Sequence, residues 1–443
     1  LHGEDADRDR ISVALEPLMR AEFLRERRGP SMALERAAIA FRPASGATLR
    51  MPEQPARVLL YGSLPHLDLD SWLELLGGGG GRGEEGSTIA EMSFGQLDVF
   101  GRHLEDLSVN ARIGAGGWTA KVSSAAIEGE VQFQAGAPRS VRARMTRFTV
   151  PPLTSEPAAG AGRGDELPDL DFVAEDFVYH GGRPGRVELL ASRQDAQWRL
   201  ERIFVKNPDG EVAGTGEWRT AEDGRTALDL KFDLPNAGGF LTRLGYPNLV
   251  SKGNVTAAAQ LSWQGEPTSV DKASLSGTVK LHAEQGQFMK IEPGIGKLIS
   301  LISLQNLPRR VLFDFGDVFS KGFAWDVIDA TAKVQSGVLE TKDFRMTGGA
   351  AEVEMQGTVD LAAETQDLRV RVIPGLDGGA ATVTGVLISP PVGLATLFAQ
   401  KILRNPLGQI FAYRYEIKGD WAEPRVEKMN LPPAQLPKEP IGD

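Results

Sequence analysis

Hydrophobic and polar residues alternate with a period of two in short runs from one end of the chain to the other. In AIEGEVQFQ, Ile127, Val131 and Phe133 fall on one side while Glu128, Glu130, Gln132 and Gln134 fall on the other. In AEVEMQGTVDL, Val353, Met355, Val359 and Leu361 oppose Glu352, Glu354, Gln356, Thr358 and Asp360. ALDLKFDLP sets Leu228, Leu230, Phe232 and Leu234 against Asp229, Lys231 and Asp233, and LRVRV and YRYEIKG repeat the scheme. Each run predicts a strand with one wet and one dry face. That is the pattern of an antiparallel sheet solvated on a single side, not of a parallel sheet covered by helices.

Helical spacing is rare. Short helices are expected over 69–76, 237–244, 296–304 and 392–403, the last three carrying Leu, Ile and Phe at intervals suited to lying on an apolar surface. The uncharged run from Gly378 to Gln400 has about the length a bilayer crossing requires, but Pro390 and Pro391 would break its hydrogen-bond ladder. It is read as a strand, a turn and an amphipathic helix.

Composition narrows the class further. The 51 Gly and 27 Pro in 443 residues favour many turns, as in an all-β chain. A formal charge of -10, without a basic block, argues against nucleic acid as a partner, since phosphate contacts need a concentrated cationic face. With no cysteine there are no disulfides and no thiolate metal ligands. The start at Leu1, without a basic-then-apolar leader, is read as the start of an internal or C-terminal stretch of something longer.

The segmentation expected is an N-terminal sheet segment over 1–76, a glycine-rich flexible loop over 77–87 and a second β segment over 88–153. A flexible linker over 154–168, a long β region with short helices over 169–430 and a disordered tail over 431–443 complete it.

No catalytic chemistry is evident. His2, His66, His103, His180 and His282 lack the spacing of a zinc protease and are read as surface or turn residues. The glycine run at Gly77 lacks the Lys-Ser/Thr of a phosphate cradle, and paired carboxylates such as Glu352 and Glu354 sit on a wet strand face as solubilising groups. The chain is therefore read as a non-enzyme with no catalytic residues, no metal site and no cofactor.

Five ordered motifs resemble one family. They are GSLPHLDLDSWLELL from Gly62, NAGGFLTRLGYPNLVSKGNVTAAAQLSWQGEP from Asn236, GKLISLISLQNLPRRVLFDFGDVFSKGFAWD from Gly296, GVLETKDFRMTGGAAEVEMQGTVDL from Gly337 and FAQKILRNPLGQIFAYRYEIKGDWAEPRVE from Phe398. Together they are similar to the C-terminal region of the YhdP/AsmA-like family, traceable from about Pro55 nearly to the end; the first fifty residues match poorly. The resemblance implies a mainly β fold, an elongated, curved antiparallel sheet shaped as a taco-like hydrophobic groove with a few short amphipathic helices. It implies a bridge-like carrier of phospholipid between the inner and outer membranes of Gram-negative bacteria. The implied location is the periplasmic part of an inner-membrane protein, anchored by an N-terminal helix outside this stretch, with contact at the outer membrane.

On that reading the groove residues are Ile127, Val131, Phe133, Leu228, Leu230, Phe232, Val353, Met355 and Val359. Arg309 and Arg310 either meet anionic headgroups at the mouth or pair with Asp314 or Asp317. Alternation is the same in a closed sandwich and an open groove, so a non-catalytic envelope scaffold and an assembly factor for outer-membrane proteins remain as alternatives.

Overall fold

The structure is a computed structural model that describes residues 2–5, 7–29, 31–44, 46–69, 71, 87–99, 101–152, 167–194, 197–219, 224–289, 323–349, 351–374, 413–421 and 424–429. Among them it is mainly β, with 23 strands and one helix of more than a turn. The chain divides into two compact units, Leu1–Asn207 with Glu217–Glu222, and Pro208–Gly216 with Asp223–Asp443.

In the first unit thirteen strands follow one another in a ladder: β1 (His2–Asp5), β2 (Arg8–Leu15), β3 (Met19–Arg28), β4 (Ser31–Phe41), β5 (Ala56–Asp68), β6 (Ser87–Val99), β7 (Arg102–Gly114), β8 (Gly117–Ser123), β9 (Ile127–Gln134), β10 (Ser140–Thr149), β11 (Asp169–Tyr179), β12 (Gly182–Gln194) and β13 (Gln197–Asn207). Most neighbours are antiparallel, as expected for strands with one dry and one wet face. Three pairs correct the expectation: β4 with β5, β5 with β6, and β10 with β11 run parallel. Side-chain alternation is the same for both directions; what separates them is the connection, because a parallel partner requires the chain to return the length of the strand. The long stretch after Phe41 serves that requirement between β4 and β5.

In the second unit β14 (Gly210–Arg219, of which Gly210–Gly216 belongs here) precedes β15 (Arg225–Leu234), β16 (Val250–Gln264), β17 (Ser276–Phe288), β18 (Phe323–Gln335), β19 (Val338–Thr347), β20 (Ala351–Asp360), β21 (Thr365–Pro374), β22 (Tyr413–Asp420) and β23 (Arg425–Lys428). From β15 onward every neighbour is antiparallel. Within each unit the described strands pack chiefly against their ladder neighbours.

The helix spans Ala237–Arg243, inside the 237–244 expected. Its start is fixed by Asn236, whose side chain accepts from the Gly239 amide at 3.2 Å and donates to Asp209 at 2.6 Å. Arg243, in the last turn, donates to the other oxygen of Asp209 at 2.6 Å. One carboxylate thus ties both ends of the helix to the turn before β14, and the Arg243 guanidinium holds Asp209 below the usual carboxylate range. The helices expected over 296–304 and 392–403 lie outside the described residues, as does nearly all of 69–76.

Candidate functional site

Cross-strand register turns the alternation of single strands into rows. In the first unit Ala90, Ala111, Ala120, Val131, Ala143, Phe172, Leu189 and Ile203 stand opposite one another from β6 to β13. The next row is Met92, Val109, Val122, Gly129, Met145, Ala174, Val187 and Val205. At Gly129 the absent side chain matters: a methyl there would lie 2.8 Å from Met145 Sδ, so the glycine seats the methionine and keeps the row continuous. A third row contains Ile113, Trp118 and Phe133, where the two rings stack at 5.9 Å between centroids. Trp118 and Ile113 remain 36% and 40% exposed, so this end of the face is accessible to an apolar guest.

The second unit repeats the arrangement. Leu230, Ala259, Val279, Ala332, Thr341, Gly357, Leu368 and Ile417 form one row, and Leu234, Val255, Ala283, Ile328, Met346, Val353, Val372 and Tyr413 another. Leu228 and Leu230 lean over Gly216 and Gly214 of β14, where a methyl would meet Leu228 Cδ2 at 2.5 Å and Leu230 Cδ2 at 2.6 Å.

Exposure divides the predicted residues. Val131, Phe133, Leu228, Leu230, Phe232 and Met355 are half-buried and offer surface. Ile127 is 7% exposed, in a cluster with Leu107, Met145 and Ala174. Val353 and Val359 are 1% and 2% exposed, inside a cluster with Trp325, Phe344, Met346, Leu368 and Tyr415. These three lie on the apolar face, but they are its packed interior. Arg309 and Arg310 lie outside the described residues.

The pleat also changes phase, which strand patterns do not reveal. On β17 the buried positions step from Ala283 to Gly286, past Gln285 in a left-handed conformation at φ 52°. Asp106 at φ 48° marks the same step on β7, between Leu104 and Leu107. The pairing keeps its register across these positions, with neighbouring strands skipping together, so the dry face continues although the sequence period breaks.

The opposite face is polar and laced with ion pairs. Asp171 binds Arg142 and Arg144 at 3.1 and 2.6 Å, Glu188 accepts from Arg186 and Arg202 at 2.9 and 2.8 Å, and Glu352 and Glu354 pair with Arg345 and Arg371 at 2.6 and 2.9 Å. Pairs at such exposure are worth about 0–1 kcal/mol each. Their effect is to keep this face in water.

Two histidines far apart in sequence meet here. His66 and His103 contact the two oxygens of Asp98 at 2.7 and 2.5 Å, because β5, β6 and β7 are adjacent. The Gln96 amide, His66 and His103 together hold Asp98 down at about 2. Among the described residues no group of His, Cys, Asp and Glu could hold a metal ion. Nor does any described helix have the length and apolar character to cross a membrane, which leaves membrane-crossing strands untouched.

The chain matches the profile of the YhdP protein family over residues 1–426. It is 24% identical over 295 residues to the intermembrane phospholipid transporter YhdP of Escherichia coli (strain K12), a match covering 62% of this chain and 23% of that protein. The matched stretch is thus about a quarter of that relative's length. No solved structure matches the chain.

Proposed function

The chain belongs to the YhdP family, and on that premise we propose that it carries phospholipid between the inner and outer membranes of a Gram-negative envelope. The acyl chains lie along the apolar rows while the headgroup stays toward water. The observation that carries this reading is the continuity of those rows, strand after strand, over half-buried side chains that offer apolar surface. Exposing an acyl chain of about fifteen carbons costs roughly 12 kcal/mol, at about 0.8 kcal/mol per methylene. A dry face of matching length removes most of that barrier, and lipid then moves by sliding, without catalysis at this site.

In this reading the sheet is open as a groove lined by Val131, Phe133, Leu228, Leu230, Phe232 and Met355. Ile127, Val353 and Val359 are its floor. The anchor in the inner membrane and the contact with the outer membrane belong to the whole protein and are part of the same proposal. Contacts with acyl chains are non-directional, so single conservative substitutions leave transport nearly intact.

The test is the double substitution Leu230→Asp with Phe232→Asp, which places two unpaired charges on the path. Lipid flux between the membranes should collapse at unchanged protein level, and a photocrosslinker at Phe232 should capture phospholipid in the unsubstituted protein. Normal flux in the double variant overturns the proposal. So does crosslinking only to outer-membrane protein precursors, or the absence of any co-purified lipid.

A further inference from the structure

Trp325 is buried to 3% exposure, yet its indole Nε1 has no hydrogen-bond partner. Other indoles on the sheet are satisfied within the chain: Trp198 donates to the Pro168 carbonyl at 3.3 Å, Trp263 to Glu266 at 3.0 Å and Trp421 to Thr365 at 3.3 Å. A buried donor left unmade is destabilising, and folded proteins rarely keep one without a use.

The ring is held in place. It lies over Gly286, where a methyl would overlap Cζ2, and against Gly253, where a methyl would come within 3.0 Å of Cη2. Phe288 packs on it at 5.9 Å between centroids. Two residues without side chains therefore seat an indole that donates to nothing. Position adds to this. Trp325 stands where the half-buried face carrying Val250, Val255, Leu281 and Phe288 meets the buried cluster of β18 to β22.

The geometry points to Trp325 as a docking point for the ester carbonyl of an acyl lipid, its Nε1–H donating to the carbonyl oxygen at the border of the open face. Apolar company, with Phe288 on the ring and Phe323, Ile328 and Ala283 in the same buried cluster, disfavours a phosphate, whose charge would be left without solvent or counterion. A neutral carbonyl is an acceptor this pocket tolerates. The inference rests on the phospholipid reading above and sharpens it: the path has a place where a lipid pauses in register.

The test labels the intact protein with 5-fluorotryptophan, the Trp325 fluorine resonance being assigned by its loss in Trp325→Phe. Short-chain diacyl phosphatidylglycerol should shift that resonance, whereas the dialkyl ether lipid of the same headgroup and chain length, which has no carbonyl, should not. Binding of the diacyl lipid should weaken about two- to tenfold in Trp325→Phe, the range of one net hydrogen bond, with the ether lipid unaffected. Equal responses to both lipids overturn the inference. So does an unmoved Trp325 resonance in a protein that still crosslinks lipid from Phe232, an outcome that leaves the transport proposal standing. Failure of lipid to bind anywhere removes both.

Discussion

Two stretches of the second unit share one ladder and one alternation yet present different faces. From β15 to β17 the dry positions Leu228, Leu230, Phe232, Ala257, Val279 and Leu281 are half-buried; from β18 to β22, Trp325, Ile328, Met346, Val353, Leu368 and Tyr415 are all at 4% exposure or less. The difference follows the side chains. β16 lays down Ala257 and Ala259 as a shallow floor, while β18 to β22 supply large groups that fill their own rows. The first stretch is suited to receive a guest; the second is a core that holds the strands in register. On the proposed function, transport runs over the half-buried positions, Met355 of β20 included, with Trp325 at the border, and the fully buried positions supply stability.

The largest expected effect separates them directly. Met346→Ala, at 0% exposure, should cost about 2–5 kcal/mol by denaturant unfolding, whereas Leu230→Ala should cost about 1 kcal/mol. Equal losses would erase the distinction. Gly286→Ala should cost about 1–3 kcal/mol, because the added methyl drives Trp325 off its seat at the border. Gly349→Ala, with no atom within 4 Å of the added methyl, is the matched control and should stay within about 0.5 kcal/mol.

A smaller effect should stay on the half-buried side. Asn236→Ala removes the helix cap and should cost about 1 kcal/mol, read as faster amide exchange at Phe240 with the Met346 cluster unchanged. The smallest is a titration on the polar face, at the β17–β18 junction. Hydrogen bonds to Asp329 and then Glu284 raise the His282 pKa above its ordinary 6.5. The stabilisation from this pairing is therefore complete below that value and is lost as pH rises through the elevated pKa. Asp329→Asn should bring the His282 midpoint down toward 6.5 in an NMR titration. A midpoint that does not move would mean the contact is not formed.

Much of the fold was legible in the sequence, for an identifiable reason. Period-two patterning is local, so Ile127–Gln134, Arg225–Leu234 and Ala351–Asp360 announce themselves as strands, and their dry and wet sides come out as read. The helix at Ala237–Arg243 was equally readable from its spacing. The parallel pairs were not, since direction is decided by where the chain returns and not by which residues alternate. Phase steps at Asp106 and Gln285 were hidden because a left-handed residue in a strand leaves no compositional mark. The meeting of His66 and His103 on Asp98 depends on three strands being neighbours, which no spacing encodes. Trp325 lay inside a quoted motif, but an unsatisfied donor is visible only when every possible acceptor has a position.

The sequence by itself determined that this chain forms strands with one apolar side, and which residues stand on that side. That information is carried by neighbours two apart and survives any arrangement of the strands. Only the tertiary structure decided which apolar positions remain accessible and which become core. Exposure depends on what the adjoining strands place beside a residue, so Leu230 and Val353, alike in sequence pattern, differ once register sets an alanine floor beside one and a tryptophan, methionine and tyrosine cluster around the other.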